Sequence, residues 1–162
     1  MKKLNKKGFT LVELLAVIAI LGILMVILMP NVLNLFANAR KSAFAVEAKR
    51  IWSTAETQRL SDVINKPSVH FYSSDCGTGN ENVCRSLDIP AEYKYCVNVT
   101  TTAGDNENKV SGASGTIYVA NNDYKLVTSS ALTLAGITTD VVTDVEGATP
   151  KFNGTACTET SN

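Results

Sequence analysis

Imidazole is almost absent from this 162-residue chain, whose one histidine is His70. Its four cysteines never fall in a Cys-x-x-Cys spacing, so the paired thiolates of a structural zinc site are missing. No serine or cysteine is set beside a base by any nucleophile motif. His70, next to Phe71 and Tyr72, reads as a loop or core histidine rather than a general base, and no enzyme is expected. Calcium oxygens are available from Asp75, Asp105, Asp123, Asp140, Asp144 and Glu146, but only Asp140, Asp144 and Glu146 cluster. They lack the glycine-punctuated spacing of a calcium loop, which leaves a solvated face. Neither a metal nor a cofactor is expected. A charge excess is missing as well, with 15 basic and 15 acidic residues. Lys2, Lys3, Lys6 and Lys7 precede everything else, and setting them aside leaves 11 basic against 15 acidic residues, a net of −4. That remainder has no clustered basic face of the kind a phosphate backbone requires.

Against these absences stands one long apolar run, FTLVELLAVIAILGILMVILM, from Phe9 to Met29, broken only by Thr10, Glu13 and Gly22. As a helix its 21 residues rise about 31 Å, the thickness of a bilayer's hydrocarbon core at about 30 Å. Lysines before the run, and none in the next ten residues after it, orient it with the N-terminus in the cytoplasm and the remainder outside. A cleaved secretory signal has a shorter apolar core and a small-x-small cleavage site, neither of which is found here. A plain signal anchor fits the run but leaves Glu13 without a partner. Burying a lone carboxylate at the centre of a span costs about 2.5–3.5 kcal/mol.

Pro30 removes a backbone donor and ends many helices, yet the helical pattern resumes beyond it. Leu33, Ala37, Phe44, Ala48, Ile51 and Ala55 fall at spacings of mostly three and four, with Arg40, Lys41, Glu47, Lys49 and Glu56 largely elsewhere. The spacing predicts a helix continuing, kinked at Pro30, to about Asn65 and extending on the order of 85 Å, more than a domain of this size can bury. After Asn65-Lys66-Pro67 the pattern stops.

The segment KKGFTLVELLAVIAILGIL, followed by a proline and an alanine-rich amphipathic continuation, resembles the class III signal and N-terminal helix of type IV pilins and of the related pseudopilins of type II secretion. The resemblance covers roughly the first sixty residues. It implies a leader, residues 1–8, removed by a prepilin peptidase between Gly8 and Phe9, with methylation of the new Phe9 amine. Residues 9–30 become the transmembrane and filament-core half of the helix, residues 31–65 its amphipathic half, and residues 66–162 a globular head. Glu13, fifth in the mature chain, is then expected to meet the Phe9 amine of a neighbouring subunit. Such a pair gains about 4 kcal/mol at 4 Å and an effective dielectric of 20, enough to offset the cost of burying Glu13. Gly22 and Pro30 mark the stretch where helical order can loosen when subunits pack.

The head reads as α+β, with the pilin-like layout of a long helix on a small antiparallel sheet. Residues 67–90 form an irregular loop with one helical turn near Val83–Leu87. Strands are expected over 92–101, 115–121 and 123–130, the last two joined by a turn at Asn122-Asp123. Tyr95, Val97 and Val99 alternate with Lys94, Cys96 and Asn98, and their face is expected to pack on the stripe of Phe44, Ile51 and Ala55. Residues 141–149 read equally as a short helix or a strand. An even cysteine number in an exported chain implies two disulfides and three pairings. Cys76–Cys84, closing a short loop, and Cys96–Cys157, pinning the tail to a strand, are favoured. Asn98-Val99-Thr100 and Asn153-Gly154-Thr155 match glycosylation acceptors, a pattern that chance often produces.

The expected function is structural: a type IV pilus subunit, membrane-anchored first and extracellular once polymerised, serving adhesion, motility or DNA uptake. The expected partners are copies of itself, membrane lipid before assembly, the prepilin peptidase, an assembly platform, motor ATPases, and DNA or a host surface as ligand. A pseudopilin is the close alternative. A monomeric signal-anchored binding protein is the alternative from another class; it requires no cleavage at Gly8 and tolerance of Glu13→Ala.

Overall fold

The computed structural model describes residues 9–103, 110–128, 134–144 and 148–161. Gly8 and the leader lysines lie outside them, as do Asp105, Glu146 and the last two residues of the strand expected at 123–130. One helix, α1, runs from Leu11 to Asn65. Its path is helical through both Gly22 and Pro30. The chain divides into two compact units, Met1–Arg40 and Lys41–Asn162, so that α1 contributes to both.

In the second unit, β1 (Phe71–Ser73), β2 (Cys84–Arg85), β3 (Lys94–Ala103), β4 (Val110–Ala120), β5 (Tyr124–Val127) and β6 (Val142–Asp144) form a sheet in the order β2-β1-β3-β4-β5-β6. The β1–β2 pair is parallel and the others are antiparallel. A second sheet pairs β7 (Ala148–Phe152) with β8 (Cys157–Ser161). The whole is α+β and pilin-like, as the sequence implies.

The strand expectations hold at the centre of the sheet. β3, β4 and β5 form from the alternating segments, and Asn121 builds the turn between β4 and β5. Its Oδ1 accepts the N–H groups of Asp123 at 2.9 Å and Tyr124 at 2.7 Å. Phe44, Ala45, Ala48, Ile51, Trp52 and Ala55 of α1 are buried against Tyr95, Val97, Val99, Ile117, Val119 and Leu126 of the sheet. Of the expected stripe, Leu33 and Ala37 remain exposed. Gly115, opposite Val99, lies under the Trp52 ring of α1. A Cβ there would stand 1.7 Å from the Asn98 carbonyl oxygen and 3.4 Å from the Trp52 ring, so this position takes only glycine.

The structure corrects one local reading and decides another. No helical turn forms at Val83–Leu87: Val83 and Cys84 donate to the Asn80 carbonyl in a tight turn, and Cys84–Arg85 then pairs with β1. Over 141–149 the strand reading holds, since Val141 ends a 3-10 turn, Val142–Asp144 is β6 and Ala148 begins β7, with residues 145–147 outside the described set. Cys96, on the face of β3 opposite Tyr95, Val97 and Val99, is fully buried. The reason is the β7–β8 hairpin, which covers this second face and encloses a smaller core of Phe71, Cys84, Cys96, Phe152 and Cys157. Phe71 and Phe152 stack at 4.6 Å between ring centroids.

Candidate functional site

Two residues singled out by the sequence, Phe9 and Glu13, lie at the start of α1. Thr10 precedes the first helical residue, and its own N–H donates to Glu13 Oε2 at 2.8 Å. The Thr10 hydroxyl donates to the same oxygen at 2.8 Å and accepts the Glu13 N–H at 3.3 Å. This reciprocal arrangement is a capping box: the threonine satisfies a free N–H of the first turn while the glutamate three residues on satisfies the threonine's own. It holds the carboxylate near the positive end of the helix dipole. Among the described residues Oε2 takes both of the carboxylate's bonds and Oε1 takes none. The Thr-x-x-Glu signature stands in the sequence, where Glu13 is read through its burial cost and its pairing with a Phe9 amine, and the capping role of Thr10 is missed.

Around and beyond this cap, every side chain from Phe9 to Arg40 is exposed in the single chain. Phe9 is 85% exposed, and among described residues this is the one helix long and apolar enough to cross a membrane. Gly22 has no heavy atom within 4 Å of where a Cβ would stand. Pro30 lies inside the helix and, lacking an N–H, leaves the Val26 carbonyl without its donor four residues on.

In the second unit both disulfides form, Cys76–Cys84 and Cys96–Cys157, in the pairing favoured from the cysteine spacing. A buried polar cluster that the sequence did not disclose ties the end of α1 to the following loop. Asp62 is 3% exposed. Its Oδ1 accepts Gln58 Nε2 at 3.2 Å and Arg85 Nη1 at 3.0 Å, and its Oδ2 accepts the Tyr72 hydroxyl at 3.1 Å. Arg59 Nη1 donates to the Val69 carbonyl at 2.6 Å and the Pro67 carbonyl at 3.1 Å. Burial, and then the Asp62 carboxylate beside it, raises the Tyr72 phenol well above its ordinary range. Asp75 is shifted the other way: the Gly77 N–H, then Lys151, holds its carboxyl below the usual value.

The remaining candidates have ordinary partners. His70 packs against Phe71 at 4.6 Å, with Nδ1 2.7 Å from the Ser68 carbonyl oxygen. Asp144 pairs with Lys41 at 3.6 Å. Asn153 of the glycosylation-like triplet shapes the β7–β8 turn, its Oδ1 accepting the Thr155 and Ala156 N–H groups and the Thr155 hydroxyl. Asn98 of the other triplet sits within β3, opposite Thr116.

Comparison with known proteins bears on the same end of the chain. Residues 3–29 match the pattern described as the prokaryotic N-terminal methylation motif. The type IV wide pilus major component PilA4 of Thermus thermophilus is 30% identical over 135 residues, which cover 80% of this chain and 92% of that protein. The type IV major pilin protein PilA of Myxococcus xanthus is 29% identical over 98 residues, 53% of this chain and 44% of that protein. No solved structure matches the chain significantly.

Proposed function

Because the chain belongs to the type IV pilin family, we propose that it is the structural subunit of a type IV pilus, polymerising through α1 from the cytoplasmic membrane into an extracellular filament. One observation carries this reading. A helix of apolar side chains, exposed throughout in the single chain, is headed by a carboxylate with one oxygen bonded to its own chain and the other open. The family is structural, and the protein is not an enzyme.

Before assembly the run from Phe9 to Met29 crosses the bilayer once, with the head outside. The prepilin peptidase cuts between Gly8 and Phe9 and methylates the Phe9 amine, leaving the apolar helix attached. In the filament this amine meets Glu13 of a neighbouring copy. Thr10 keeps Oε2, so the incoming charge takes Oε1 and the helix start stays capped. The pair sets axial register, since one offset alone brings amine to carboxylate, and it contributes about 4 kcal/mol at an effective dielectric of 20. Gly22, without a side chain, and Pro30, without a donor, are where α1 yields as subunits pack. Motor ATPases and a platform protein drive extraction from the membrane. Adhesion, motility and DNA uptake are then properties of the polymer. Both relatives are named as major pilus components or pilins, which supports a pilus over a secretion pseudopilus.

An intact-mass spectrum of filaments sheared from cells tests this. The expected species begins at methylated Phe9 and carries the mass deficit of two disulfides. Recovery solely from membranes, with residues 1–8 attached, would overturn it.

A further inference from the structure

The two disulfides occupy unlike surroundings. Cys96 is 0% and Cys157 8% exposed, inside the core that β7 and β8 close. Cys84 is buried in that same core, at 2% exposed, but its partner Cys76 is half-buried, in a stretch where Ser74, Asp75, Gly77, Thr78 and Gly79 are exposed. Together with Cys84 it lines an open cleft of about 450 Å³ that also includes Lys66, Asp75, Glu81 and Arg85. The acids of that cleft are already engaged: Asp75 with the Gly77 N–H and Lys151, Glu81 with the Gly79 N–H. Among the described residues no ion pair engages Lys66, whose ammonium is a cation available to an approaching thiolate.

Each half of this cystine adjoins an ion pair to a different element. Cys84 precedes Arg85, which reaches the buried Asp62 of α1 at 3.0 Å. Cys76 follows Asp75, which reaches Lys151 of β7 at 3.2 Å. The edge strand β2 consists of Cys84 and Arg85 alone, held to β1 by two residue pairs. A two-residue strand at a sheet edge has little of its own to retain it once the covalent link opens.

We propose that Cys76–Cys84 is a thiol–disulfide exchange site whose reaction partner is a dithiol, and that its opening releases Arg85 from Asp62 while Cys96–Cys157 stays closed. A thiolate of the dithiol attacks the Cys76 sulfur, forming a mixed disulfide and expelling the Cys84 thiolate, which takes a proton. The dithiol's second thiolate then attacks its own mixed-disulfide sulfur, closing the oxidised ring and releasing Cys76 as a thiol. Two electrons pass from the dithiol to the protein cystine.

The test uses the full chain purified from membranes in detergent, treated with graded dithiothreitol, trapped with iodoacetamide and mapped by mass spectrometry. Labelling at Cys76 and Cys84 should run at least about tenfold ahead of Cys96 and Cys157. In the same samples trypsin should cut faster after Arg85, whose side chain is exposed but whose backbone is held in β2 by pairing with β1 in the oxidised protein. Equal or reversed labelling order would refute the exchange site. Selective labelling with Arg85 as protected as before would refute its release. The Cys76→Ser/Cys84→Ser double variant, without reductant, should show the same Arg85 cleavage; if it does not accumulate in cells, the titration of the unaltered chain still decides.

Discussion

α1 contributes one stretch to each of two regions built on opposite terms. From Lys41 onward one face of it finds partners in its own chain, and Trp52, Ile51 and Ala48 are buried completely or nearly so. From Phe9 to Arg40 the residues are still more apolar, yet none is covered. Apolar content alone therefore does not say where a core lies. The second region is balanced internally, by a sheet buried on both faces and two disulfides. The first is a surface whose burial must come from lipid or other copies.

The widest separation of the two regions should come from Glu13. Glu13→Gln keeps the capping box, since glutamine serves at this position, but removes the charge. We expect filament yield to fall at least about a hundredfold, as a contact of about 4 kcal/mol is lost at every interface, while processing and the melting of the head stay unchanged. Normal filaments from this variant would assign Glu13 to capping alone and end the amine-pairing mechanism.

Trp52→Ala should do the reverse. Removing a fully buried tryptophan costs about 3–5 kcal/mol, read as a lower midpoint in denaturant, with cleavage before Phe9 still taking place. An unshifted midpoint would mean that the helix–sheet core is not what holds the head.

A smaller effect distinguishes the regions by pH. Tyr72 keeps its proton in the folded head well above the 10.0 at which an ordinary tyrosine loses it, so the unfolded chain ionises first. The stabilisation is fully present below pH 10 and declines as pH rises beyond it. Tyr95 and Tyr93, also raised by burial, act in the same sense. Stability measured by denaturant titration should fall above pH 10, and Tyr72→Phe should remove the largest part of that slope. The smallest change is Lys41→Ala: its pair with Asp144 is solvent-accessible on both sides, and the loss should stay under about 1 kcal/mol.

What could be read from the sequence followed from period. The apolar run, the stripe of Phe44, Ile51 and Ala55, and the alternation of Tyr95, Val97 and Val99 each repeat often enough to fix an element. β1 and β2 are too short to carry a period, and they exist through pairing and the Cys76–Cys84 link. Pro150 disguised β7, since proline argues against a central strand; here its strand pairs with β8 alone. Burial of Asp62 was illegible because its partners, Tyr72 and Arg85, arrive from 10 and 23 residues away. The start of α1 was legible in pattern but was read through charge alone, as a buried carboxylate and its amine partner, and not through the free N–H groups of the first turn.

The Cys96–Cys157 link has a mechanical meaning. A filament under load pulls on its subunits, and a pull between the helix and the C-terminal hairpin passes straight across this bond. The sequence separation of 61 that it closes represents on the order of 200 Å of extended chain. That length is withheld from the load, so a stretched head can pay out only the short segments outside the bracket before the covalent skeleton itself is taut.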